Sequence, residues 1–215
     1  MYVCIKQLLE TKQTTGMNRI VVCGTTCSGK ALVASIIKDA LHCSIASDVR
    51  QDTSYPGSLF SYFLSRMVTF AKACESGTNF VTTADVFTDQ TIVIPASVSQ
   101  LDCEELNLLH DIFEKLNMPT PTHRILCMDD TTSIFIRAFS QKDACHLTMR
   151  AIRDNVDAWC KFRSTESNID AVFTAPTFIE FNPNEFHILK LSILKHLTCM
   201  GFSVFYVARK SAVDP

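Results

Sequence analysis

Residues 19–31 read Arg19-Ile20-Val21-Val22-Cys23-Gly24-Thr25-Thr26-Cys27-Ser28-Gly29-Lys30-Ala31. An apolar run is followed by two bracketing glycines, a lysine directly after the second, and then Leu32, Val33, Ile36, Ile37 and Leu41 at helical spacing. Such a run commits the chain to a buried strand, a tight loop and a helix in immediate succession, the opening unit of a layered α/β fold. The loop spells G-x-x-x-x-G-K, the P-loop pattern, whose backbone N–H groups can wrap an anionic phosphate. The N-terminus of the following helix adds partial positive charge, and Lys30 reaches the outer phosphates. Glycine serves where the backbone turns sharply or must approach a ligand without a Cβ. Gly24, Thr25, Thr26, Cys27, Ser28, Gly29, Lys30 and Ala31 are therefore the candidate phosphate-binding residues. The competing reading is a plain glycine turn that carries a lysine. The position after the lysine ordinarily supplies a hydroxyl to magnesium. Here it is Ala31, so that ligand is missing.

At 215 residues the chain is expected to form one domain with a substantial core. A hydrophobic content of 47% with 20% charged residues fits a soluble globular protein. The net charge of −2 gives no general electrostatic case for nucleic-acid or membrane partners. No apolar run is long enough to span a bilayer. The first ten residues carry charge inside their apolar stretch and show no clear cleavage site, so no signal peptide is expected and the cytoplasm is the expected location. Met17 lies just before the first strand, so residues 1–16 read as an appendage and 17–215 as the domain. Ten cysteines form no C-x-x-C pair, which argues against a zinc site or a thioredoxin-like motif. Several, including Cys23, Cys127 and Cys199, lie in apolar runs; most are expected to be reduced, buried small hydrophobes.

Strand and helix patterns alternate along the rest of the chain. Helices are expected over 30–40, 58–75, 99–116, 131–139, 144–162 and 184–200. Strands are expected over 19–23, 43–47, 79–83, 124–128 and 177–181, with 203–207 a candidate for one more. This order predicts an α/β fold with a mostly parallel central sheet of about five strands flanked by helices, and a lid segment after the fourth. In such sheets ligands bind at the C-terminal strand ends. The loop, Asp48, Asp85 and Asp129 all fall there, which gathers a phosphate cradle and several carboxylates on one edge.

Three short blocks add to this order: the P-loop, Leu64-Ser65-Arg66 in the second helix, and Val86-Phe87-Thr88-Asp89-Gln90 after the third strand. A GTPase would show N-K-x-D, and no such tetrapeptide occurs. With these blocks, from about Asn18 to about Lys195, the chain resembles the deoxynucleoside kinase family: the cellular deoxycytidine, deoxyguanosine and mitochondrial thymidine kinases and their viral relatives. The resemblance implies a P-loop kinase fold, ATP and Mg2+ as cofactors, and a nucleoside whose 5′-hydroxyl accepts the γ-phosphate. It implies that Arg66 and Asp89 read the base together, which suits a guanidinium paired with a carboxylate. It matches Asp48 to the acidic general base, as aspartate where glutamate is usual, and makes Arg137 the surviving lid arginine. It also implies a homodimer through a helix pair. Val156-Asp157-Ala158-Trp159 matches a family segment that reads as packing, and Phe60, Tyr62 and Phe63 near Arg66 read as base-stacking or core aromatics.

The chain departs from the family pattern in one functional direction. The family's E-R-S becomes Thr83-Ala84-Asp85, removing a magnesium-holding glutamate and a phosphoryl-stabilising arginine. Gln141 and Asp143 stand where further lid arginines are expected. Phosphoryl transfer rests on positioning and positive charge, so these losses bear on catalysis. Asp85 or Asp48 can hold magnesium through water, and Arg137, Lys142 or Arg150 can restore charge. Asp129 reads either as an acid of Walker-B type or as an acidic turn. Two main functions stay open, a nucleoside kinase with a divergent site and a pseudokinase that keeps the fold for nucleotide or protein binding, with a different small-molecule or nucleotide kinase as a weaker third. Divergence of this kind over a short chain suits a viral paralogue.

Overall fold

The computed structural model describes residues 16–25, 27–46, 59–83, 104, 108, 111, 112, 115, 119–140, 148–165, 169–173 and 183–204; the side chains of 59–63, 140, 162 and 165 stand outside that set. The expected appendage therefore lies almost wholly outside the described residues. The elements are β1 (Arg19–Gly24), α1 (Lys30–Leu41), β2 (Ser44–Ala46), α2 (Leu59–Glu75), β3 (Phe80–Thr82), β4 (His123–Cys127), α3 (Thr131–Ser140), α4 (Met149–Thr165), β5 (Ala171–Phe173) and α5 (Pro183–Cys199). Residues 104, 108, 111, 112 and 115 are helical, in keeping with the helix expected over 99–116.

The five strands form one sheet in the order β2-β3-β1-β4-β5, with every pair parallel. β1 is central because it is apolar on both faces, as a parallel strand covered on both sides must be. Its side chains divide by parity. Ile20 and Val22 join Val33, Ile36 and Ile37 of α1 and Leu189, Ile193 and Leu197 of α5 on one face. Val21 and Cys23 join Met67, Phe70 and Ala71 of α2 and Ala158 and Trp159 of α4 on the other. β4 repeats the division, with Ile125 and Cys127 on the first face and Leu126 on the second. The result is a helix–sheet–helix sandwich whose central residues are fully buried. Phe70 and Phe80 meet edge to face at 5.4 Å, tying α2 to β3.

The fifth strand departs from expectation. It is Ala171–Phe173, paired with β4 through Ile125↔Ala171 and Cys127↔Phe173. Three residues with only Phe173 buried carry too little apolar pattern to announce a strand. The segment expected as the fifth strand, 177–181, lies outside the described residues. Ser203 and Val204 are not in a strand, and 205–207 lie outside the described set. The cysteines divide: Cys23 and Cys127 are buried, whereas Cys199, expected to be buried, is exposed at the last position of α5. All seven described cysteines are free thiols. Trp159 is 6% exposed in the core, which bears out its reading as a packing residue.

Candidate nucleotide site

The loop between β1 and α1 stands at the C-terminal edge of the central strand. Gly24 is fixed there by its neighbour. Its φ is +133°, and a Cβ on it would overlap the carbonyl oxygen of Cys127, its register partner on β4. Glycine at this position is demanded by strand packing, whatever the loop binds. Gly29 caps α1 in a left-handed conformation, φ 86°, which leaves the helix start without a side-chain cap. Val33 N–H donates to its carbonyl at 3.1 Å, the first bond of the helix.

Inside the loop, Ser28 is fully buried and its hydroxyl donates to the Thr25 carbonyl at 2.7 Å. Thr25 is 1% exposed. Lys30 Nζ donates to the Gly24 carbonyl at 2.9 Å and to the Thr25 carbonyl at 2.6 Å, so the ammonium is folded over the loop it serves. Cys27 has φ 57°, a left-handed backbone on a residue with a Cβ. It packs against Ile134 and Ala138 of α3 and Ile152 and Val156 of α4. Burial pushes its thiol pKa up, against the pull of Lys30 and Arg137. The Cys127 thiol is pushed up to about 12 for the same reason. Both stay protonated and act as packing groups rather than nucleophiles. Ala31 is exposed at the helix start. Thr26 lies outside the described residues.

The β4 end brings two acids with separate tasks. Asp130 caps α3: its Oδ1 accepts from Thr132 N–H at 2.9 Å and Ser133 N–H at 3.0 Å, and its Oδ2 accepts from the Ser133 hydroxyl at 2.6 Å. Asp129 instead receives Arg137 Nη2 at 2.6 Å, with side chains only 9% and 6% exposed. Arg137, expected as a lid arginine, is thus a buried, paired residue of α3. Sequence inspection could see Asp130 as a cap before a helix. It could not see the Asp129–Arg137 pair, because the partners meet only when α3 folds back over the end of β4.

Arg66 reaches the same edge of the sheet from α2. Its Nη2 donates to the Thr83 carbonyl at 2.8 Å, directly after β3. Since β3 neighbours β1, Arg66 and the 24–30 loop share one edge of the sheet. Asp48, Asp85 and Asp89, together with Ala84, Gln141 and Asp143, lie outside the described residues, as do the side chains of Phe60, Tyr62 and Phe63. Among the described residues no group of three or more His, Cys, Asp or Glu side chains is placed to hold a metal. Ala31 offers no oxygen and Asp129 is engaged by Arg137. The described part of the site therefore does not fit a magnesium ion held directly by several protein side chains. No helix among the described residues is long and apolar enough to cross a membrane.

No protein-family model matches the chain. No curated protein matches its sequence either. Solved structures do match. A deoxyadenosine kinase from M. mycoides with the products dCMP and dCDP bound aligns over 84% of this chain and 99% of its own, at 12% identity and a TM-score of 0.64. The same kinase with dCTP aligns over 82% and 98%, at 13% identity and a TM-score of 0.60. A thymidylate kinase from Ehrlichia chaffeensis aligns over 85% and 100%, at 13% identity and a TM-score of 0.52. Nothing in these neighbours supports a viral origin. Identity this low speaks to architecture, and the agreement extends over the whole length of each neighbour. The chain has the fold of the deoxynucleoside-kinase-like P-loop kinases.

Proposed function

We propose that this protein is a nucleoside kinase with a divergent site, moving the γ-phosphate of ATP to the 5′-hydroxyl of a deoxynucleoside. The observation that carries the reading is the phosphate loop at the C-terminal edge of β1, with Lys30 over it and Arg66 on the same edge. In this reading the loop amides and Lys30 bind the polyphosphate, Arg66 with Asp89 reads the base, and Asp48 accepts the hydroxyl proton. Arg137 supplies charge to the transferring phosphoryl group. ATP and Mg2+ are the cofactors, the ion being held chiefly by phosphates and water, with Asp85 as a water-mediated ligand. A homodimer belongs to the same proposal and is read by sedimentation.

Purified protein with Mg-ATP and a panel of deoxynucleosides tests it. Turnover is expected, and Lys30→Ala is expected to lower it by about 100-fold or more, the scale of losing one group that stabilises developing charge. Asp48→Asn is expected to abolish it. Arg66→Ala should weaken nucleoside binding and leave ATP affinity nearly unchanged; equal loss of both would discredit the base-reading role. The second reading, a pseudokinase, draws on Ala31 and on the burial of Arg137 against Asp129. ATP binding that persists without magnesium, with no turnover on any nucleoside, would decide for it.

A further inference from the structure

Two cations stand at the C-terminal ends of β1 and β4, and the protein's own oxygens engage both. Lys30 donates to the loop carbonyls of Gly24 and Thr25. Arg137 is bound to Asp129 at 2.6 Å, and both side chains are more than nine-tenths buried. Arg137 belongs to the helix that packs on the loop, through Ile134, Ala138 and Cys27. Arg137 lies between Ile134 and Ala138 on α3 and pairs with Asp129 two residues past the end of β4, the register partner of β1. A guanidinium takes a carboxylate or a phosphate with the same planar donor fork. We propose that the Asp129 carboxylate is an internal stand-in for ligand phosphate: it occupies Arg137 in the resting protein and is exchanged for a phosphate oxygen when a polyphosphate seats on the loop. The inference rests on the phosphate-binding reading of that loop. Leaving the buried guanidinium without an anion is strongly unfavourable, so the pair opens to an incoming polyanion and not to an uncharged nucleoside. Asp129 meanwhile keeps the Asp130 amide, which donates to its Oδ1 at 2.8 Å. Asp129 thereby sets the threshold of charge that a ligand must carry to recruit Arg137.

The test uses the 215-residue chain with inorganic tripolyphosphate as the probe. Arginine Nε–Hε resonances are followed by NMR, Arg137 being assigned by its loss in Arg137→Lys, alongside the backbone amides of Gly29 and Lys30. Loop amides and the Arg137 resonance are expected to shift together, while deoxyadenosine leaves Arg137 in place. Asp129→Asn, which keeps an acceptor oxygen without its charge, is expected to bind tripolyphosphate about tenfold more tightly. That gain is expected to vanish when Arg137→Gln is added. Loop amides that move while Arg137 stays still overturn the exchange and leave the cradle standing. A gain that persists without Arg137 also overturns it, because it marks only the field of the lost carboxylate. Silent loop amides overturn the cradle and the exchange together. The shifts themselves are read on the natural sequence; Arg137→Lys, which keeps the charge, serves only to assign the resonance, and through-bond assignment of the natural protein replaces it if that variant does not fold.

Discussion

Gly24 answers to its neighbouring strand before it answers to any ligand. Its φ of +133° is one that side chains rarely adopt, and the Cys127 carbonyl fills the space of a Cβ. Gly24→Ala is therefore expected to cost on the order of 2–3 kcal/mol or more, combining backbone strain with overpacking. A urea titration checks it, and loss below about 0.5 kcal/mol, the scale of an unremarkable surface change, would show that the strands can separate there. The glycine was legible in the sequence as part of a phosphate pattern, but its second duty was not. Nothing in the spacing of Gly24 and Cys127 says that they are register partners. The same holds for Arg137. Its place after the fourth strand could be read from the chain, whereas its burial against Asp129 could not. Two charges eight residues apart meet only because the turn after β4 and two turns of α3 bring them together.

At the scale of elements, α3 is started by its N-cap, Asp130. The Ser133 hydroxyl and the Ser133 and Thr132 amides donate to the Asp130 carboxylate, and these bonds pull its pKa from 3.8 to about 2. The shift is downward, so folding favours the charged form. The stabilisation is complete above the unfolded value near 4 and is lost as pH falls toward 2. Thermal melts across that window are expected to show a steeper acid loss for the natural protein than for Asp130→Asn, which caps without titrating. Identical acid slopes would remove Asp130 as the cause. Asp130→Ala should cost about 1 kcal/mol at neutral pH, the ordinary scale of a lost N-cap. The long helices α1, α2 and α5 were legible from their period, since each buries a continuous apolar stripe. β5 was not, because its three residues pair at the edge of the sheet and bury one side chain. Pairing with β4, rather than any pattern of its own, makes it a strand.

Among the described residues two cores lie on either side of one sheet and a smaller third joins α3 to α4, and the chain's only tryptophan lies in the first. Trp159 emission is therefore expected to move to longer wavelength on unfolding and to follow the loss of helical circular dichroism in a single transition. Separate transitions would show that the two helical layers unfold independently. Phe70→Ala should remove about 3–5 kcal/mol, because Phe70 is fully buried and braces Phe80 on β3. The sequence by itself determined the local units, a strand, a G-x-x-x-x-G-K loop and a helix at 19–41, and the parallel layered class. These are properties of short segments, set by side-chain period, by glycine and by residue type. The strand order, the crowding of Gly24 by β4, the tie of Arg66 to the end of β3 and the closure of Asp129 on Arg137 were decided only in the tertiary structure. Each depends on which residues distant in the chain become neighbours, and that is settled by burying both faces of the sheet at once.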